Sequence, residues 1–116
     1  QEKSSSKFTT HLLAGEKASF TALDPFSGIE FGYRWNSADF PWLGIWEENR
    51  SRKDPPWNGE TVTCGFEFGV SPFPETRRQM IDRATLFGVP AYRWIPAGQR
   101  IAVEYSAFFT NLLQSR

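Results

Sequence analysis

The sequence is poor in the residues that thiol and metal chemistry need. Among 116 residues there is one cysteine, Cys64, and one histidine, His11. No intrachain disulfide can form, and the usual Cys/His zinc sets cannot be assembled, so no metal site is expected. Excess charge is also missing: Lys plus Arg and Asp plus Glu number 13 each, a formal net charge of zero. Nucleic-acid binding and polybasic attachment to anionic lipid both need a surplus of basic groups on one face, so neither nucleic acid nor membrane is expected as a partner. No apolar run approaches the ~20 residues of a membrane-spanning helix. The opening QEKSSSK has no apolar core of the kind a signal peptide carries. That favours a cytoplasmic placement, with an already removed leader as the alternative. Catalytic signatures are scarce too. There is no Ser/His/Asp order and no nucleophile elbow, and the Gly65-x-x-x-Gly69 spacing falls in a strand without a phosphate-loop lysine.

What the chain has in quantity is aromatic surface. Phe, Trp and Tyr make up 16%, with 11 Phe and 5 Trp. Tryptophan combines a large apolar face with one N–H donor, which suits both a packed core and the face of a sugar ring. The length corresponds to about one domain, and 40% hydrophobic with 22% charged residues is a globular composition.

Periodicity points to strands. Phe8–Leu23 holds two short apolar stretches separated around Gly15, followed by turn residues at Asp24-Pro25 and Ser27-Gly28. Ile29, Phe31, Tyr33 and Trp35 alternate with Glu30, Gly32 and Arg34, the period of two that defines a strand. Further strands are expected at 40–47, 60–70, 91–95 and 101–110. A helix is expected over Glu75–Phe87, where Met80, Ile81, Ala84 and Phe87 recur at helical spacing and Gly88 would cap the C-terminus. Residues 1–7 read as a disordered tail and 8–116 as a single β domain: mostly β, an antiparallel sandwich with one short helix.

Two constellations stand out. In GFEFGVSPFPE, residues 65–75, Glu67 lies between two aromatic residues in a strand. Alternation puts it on the face of Thr61, Thr63, Gly65 and Gly69, opposite Val62, Cys64, Phe66 and Phe68. Desolvation beside rings would raise its pKa toward the range useful for a general base. Second, WLGIWEENRSRKDPPWNGE, residues 42–60, brings Trp42, Trp46 and Trp57 near Glu48, Asn49, Arg50 and Arg52. Aromatic faces together with carboxylate, amide and guanidinium groups are the materials of a sugar site. The candidate ligand-binding residues are therefore Trp46, Glu48, Asn49, Arg50 and Trp57. The Arg77, Arg78 and Arg83 group reads as a solvated helical face, and His11 as structural.

The GFEFGVSPFPE run resembles the C-terminal motif of the aldose 1-epimerase (galactose mutarotase-like) superfamily, in which a strand bearing a catalytic glutamate leads into a Phe-Pro-acidic turn. Arg93-Trp94-Ile95-Pro96-Ala97-Gly98-Gln99-Arg100 and the following IAVEYSAFF resemble the closing element of the same family. The resemblance spans about residues 29–110. It implies a β-supersandwich of which this chain is the C-terminal part, an aldose or related carbohydrate as ligand, Glu67 as general base in anomer interconversion, and no cofactor. His11, set between Thr9-Thr10 and Leu12-Leu13, does not match the context of the family's acid histidine, so that role is not carried over. The alternative expectation is a carbohydrate-binding β domain that lacks the acid and turns nothing over. A part-supersandwich would expose sheet edges, which implies self-association through them.

Overall fold

The computed structural model describes residues 3–113. In chain order the elements are β1 (Ser5–Leu12), β2 (Lys17–Asp24), β3 (Ile29–Asn36), β4 (Trp42–Asn49), β5 (Val62–Gly69), α1 (Arg77–Arg83), β6 (Thr85–Leu86), β7 (Val89–Pro90) and β8 (Tyr105–Asn111). The protein is mostly β, with antiparallel sheets and one short helix, as the periodicity predicts. The chain divides into two compact units. Residues up to Leu12 with Pro41–Arg93 form one, and Leu13–Phe40 with the residues from Trp94 onward form the other. Of the expected N-terminal tail, Ser5–Lys7 belong to β1, while residues 1 and 2 lie outside the described residues.

In the first unit β4 is the central strand, paired antiparallel with β1 on one side and β5 on the other. Directly opposed residues of an antiparallel pair project from the same face. The register therefore composes one face from the rows Ser6–Glu48–Thr63, Phe8–Trp46–Gly65 and Thr10–Gly44–Glu67. His11, Leu43 and Phe68 share a row on the other face. Gly44 has no side chain because the Phe8 ring lies across it: a Cβ there would sit 2.3 Å from Phe8 Cζ. Trp42, fully buried, donates from Nε1 to the Pro90 carbonyl at 3.3 Å and packs 6.4 Å from the Phe87 ring. That contact ties the small β6–β7 hairpin to the central strand.

The helix is shorter than the spacing predicts. Thr76 closes it at the N-terminus with a reciprocal capping box, its Oγ1 accepting from Gln79 N–H while Gln79 Oε1 accepts from Thr76 N–H. It ends at Arg83, and Ala84 turns to φ 59°. Beyond it Phe87 and Gly88 both have positive φ, 52° and 76°, and join Leu86 to Val89. Two successive left-handed residues are what a tight type I′ hairpin turn demands. Gly88 thus serves a hairpin and not the helix end. The expected strand at 91–95 is absent, and the last strand starts at Tyr105, four residues later than alternation predicts. The Pro96–Gly98 turn is present, with Gln99 N–H bonded to the Pro96 carbonyl at 3.1 Å.

In the second unit β3 is central, between β2 and β8. Its alternating aromatics meet Phe20 of β2, whose ring lies 5.5 Å from Tyr33, 6.2 Å from Trp35 and 6.4 Å from Phe31. Such pairs add ~0.5–1.5 kcal/mol each beyond their burial. Trp35 is buried against its cross-strand partner Ala18, and its Nε1 donates to the Phe40 carbonyl at 2.8 Å. On the opposite face the Phe108 ring covers Gly32. A Cβ at 32 would come within 2.2 Å of the Phe20 carbonyl oxygen and 2.5 Å of Phe108 Cζ. The backbone contact cannot move aside cheaply, whereas nothing lies within 4 Å of a Cβ at Gly69. Gly32→Ala is accordingly expected to cost roughly 1–3 kcal/mol, as overpacking does, and Gly69→Ala to shift stability by no more than about 1 kcal/mol. Urea midpoints of the two variants, compared with the parent protein, check the contrast.

Candidate functional site

The face of the first unit that carries Glu67 is organised around Gly65. A Cβ at that position would lie 3.4 Å from Trp46 Cε3 and 3.7 Å from Glu67 Oε1. The missing side chain leaves a shelf with an indole on one side and a carboxylate on the other. Glu67 itself is exposed. The rings of Phe66 and Phe68 flank it along the strand but project the other way, so the desolvation anticipated for it is not supplied by them. Trp46 is half-buried, and its Nε1 donates to Ser6 Oγ at 3.3 Å.

The loop after β4 completes the surface. Arg52 lies with its guanidinium carbon 4.9 Å from the Trp46 ring centroid and 5.7 Å from that of Trp57. Trp57 is held by its backbone N–H, which donates to the Asp54 carbonyl at 2.9 Å, and remains 39% exposed. The loop is pinned where Gly59 N–H bonds the Arg52 carbonyl at 2.7 Å, and Asn58 and Gly59 take the positive φ values that the turn requires.

Glu48 is the clamp beneath this loop. It is 2% exposed. Its Oε1 accepts the Ser51 N–H at 2.7 Å and the Ser51 hydroxyl as well. Its Oε2 has no direct hydrogen bond, and Arg52 Nε stands 3.7 Å away. The Ser51 hydroxyl, first, holds the Glu48 carboxyl below the usual glutamate range against the opposing pull of burial, helped by the Ser51 backbone, Ser6 and the Arg52 backbone. An ionised, buried carboxylate thus stands beside Arg52 and is bonded into the loop.

The residues nominated from sequence divide accordingly. Trp46, Glu48 and Glu67 share a face, and Trp57 joins them through Arg52. Asn49 is one residue out of phase. It belongs to the opposite face, and its Nδ2 donates to the Lys3 carbonyl at 3.2 Å. Arg50 takes part through its backbone: at φ 56° its N–H donates to the Thr61 carbonyl at 2.8 Å and its carbonyl accepts from Lys53 Nζ at 2.7 Å. Arg52 stands where Arg50 was expected. The i, i+4 spacing from Glu48 was visible, but nothing in the sequence said the loop would turn it back over Trp46. His11 projects from the face opposite Glu67 and contacts Thr9 Oγ1 at 3.2 Å.

The acidic end of the Phe-Pro-Glu turn is also engaged. Arg83 grips Glu75 with two bonds, Nε to Oε1 at 3.0 Å and Nη2 to Oε2 at 2.9 Å, while its guanidinium covers Phe73 at 4.8 Å. The Arg83 hydrogen bond lowers the Glu75 carboxyl below its ordinary range. Arg83 was expected on a solvated face, and the pairing was missed because it spans eight residues across a helix. Among the described residues no group of three or more His, Cys, Asp or Glu could hold a metal ion.

Compared with known proteins, the chain matches no family model, no curated protein and no solved structure.

The Glu48 clamp has a pH signature. A carboxyl whose folded pKa is depressed stabilises the protein above the ordinary glutamate value of ~4.3, and that contribution is lost as pH falls through the lower folded value. Glu48→Gln is expected to be less stable than the parent at pH 7, with the difference shrinking as pH is lowered toward 3. Urea unfolding at several pH values measures it, and a difference that stays constant with pH would contradict the clamp.

Proposed function

We propose that the chain binds carbohydrate non-catalytically on the face of its first unit, through Trp46, Arg52 and Trp57 with Glu67 across the Gly65 shelf. The observation that carries this reading is the Arg52 guanidinium lying over both Trp46 and Trp57, with the buried Glu48 beside it. A sugar ring offers an apolar C–H face and a rim of hydroxyls. The exposed Trp57 ring suits the first, and Arg52 donors and Glu67 acceptors suit the second. The resemblance of the Gly65–Glu75 run to mutarotase-like proteins supports the same ligand class. Binding is favoured over anomer interconversion because a base at Glu67 needs a proton donor at the ring oxygen. The register of β1 carries His11 to the other face.

Tryptophan fluorescence titrated with a panel of monosaccharides, and polarimetry of freshly dissolved glucose and galactose, test the reading together. A saturable fluorescence change is expected for some sugars, weakened roughly threefold to tenfold in Trp57→Ala, the equivalent of about 1 kcal/mol of aromatic contact. Mutarotation should run at its uncatalysed rate. Acceleration that disappears in Glu67→Gln would replace binding with catalysis. Absence of any sugar response across the panel would remove both.

A further inference from the structure

The second unit has an open recess of about 660 Å³ at the end of its sheet where β3 finishes and β2 and β8 begin, lined by Lys17, Arg34, Asn36, Glu104, Tyr105 and Ser106 among others. That volume is within the range of small-molecule sites, roughly 300–1,000 Å³. We propose that it binds a small monocarboxylate carrying a hydrogen-bond donor on its α-carbon, that is, an α-amino or α-hydroxy acid. The site shares no residue with the proposed carbohydrate face.

Four features carry the proposal. First, the register places Arg34 in one row with Ser19 and Ser106, and Lys17 beside Asn36 on the same face. Second, Arg34 is preset. Its guanidinium carbon stands 4.3 Å from the centroid of Phe108, whose ring is itself seated across Gly32. Stacking occupies a face of the guanidinium and leaves its edge N–H groups free for the two-pronged grip that a planar carboxylate accepts. Third, Lys17 Nζ donates to Asn36 Oδ1 at 2.6 Å. One of its three donors is used to position it, and two remain. Fourth, Glu104 lines the same recess. A carboxylate there disfavours a dianion such as phosphate, and it rewards a ligand with an ammonium or hydroxyl to donate. Two cations against one carboxylate match a single negative charge at the arginine end.

The test uses the full chain and isothermal titration with L-phenylalanine, L-phenyllactate, 3-phenylpropionate, phenethylamine and inorganic phosphate. The first three share a carboxylate and ring and differ only in the α-substituent: ammonium, hydroxyl or hydrogen. The expected result is saturable binding of phenylalanine or phenyllactate, with 3-phenylpropionate, phenethylamine and phosphate each about tenfold weaker or more. The tighter of the two acids tells whether Glu104 receives an ammonium or a hydroxyl. Arg34→Lys keeps the charge and loses the fork, so it should weaken both acids about tenfold. Glu104→Gln, outside the strands, should leave the fold intact and narrow the gap to 3-phenylpropionate. The proposal is overturned if no probe saturates up to its solubility limit, if 3-phenylpropionate or phosphate binds as tightly as the substituted acids, or if both variants bind like the parent.

Discussion

The register of β4 between β1 and β5 is the constraint from which the first unit follows. Side chains alternate strictly along a strand, so one pairing choice assigns every residue of three strands to a face. With Gly44 opposed to Thr10 and Glu67, the row above it becomes Phe8, Trp46 and Gly65, and the row below the loop becomes Ser6, Glu48 and Thr63. A slip of one residue would carry Glu67 and Trp46 to opposite faces and bring His11 to the glutamate. The same pairing buries Trp42, and its contact with Pro90 and Phe87 draws the β6–β7 hairpin onto the sheet.

Glycine and one buried carboxylate convert that register into a surface. Gly44 makes room for the Phe8 ring against the backbone, and Gly65 leaves the shelf between Trp46 and Glu67. Glu48 then acts below the surface. A carboxylate withdrawn from water is costly unless hydrogen-bonded and paired, and Ser51 and Arg52 meet those two needs from the loop that follows. The cost of leaving Glu48 uncompensated keeps that loop folded back, and so holds Arg52 over Trp46 and Trp57. The second unit repeats the device: Gly32 admits Phe108, and Phe108 in turn supports Arg34.

The strands were readable because their signal is local. Ile29–Trp35 alternates over its whole length, and the assignment of Glu67 and the small residues of β5 to one face needed nothing beyond a period of two. The helix was misjudged at its end for an equally local reason. Met80, Ile81, Ala84 and Phe87 continue a helical rhythm, but Thr85–Pro90 form a hairpin with a left-handed Phe87, a conformation that no composition rule assigns to phenylalanine. The capping box at Thr76 and Gln79 has the spacing that helix starts use, a signal that would have moved the expected start from Glu75 to Thr76.

Composition and periodicity by themselves determined the fold class, the scarcity of metal and thiol ligands, the aromatic character of the faces and the candidacy of Glu67, because each depends on residue type and on spacing within one strand. Only the tertiary structure decided that Asn49 faces away, that Arg52 stacks on the tryptophans, that Arg83 reaches back to Glu75, and that Lys17, Arg34 and Glu104 share a recess. Those outcomes depend on which strands pair and how loops return. Pairing between distant segments is chosen by the burial of whole faces, which no single stretch of sequence encodes.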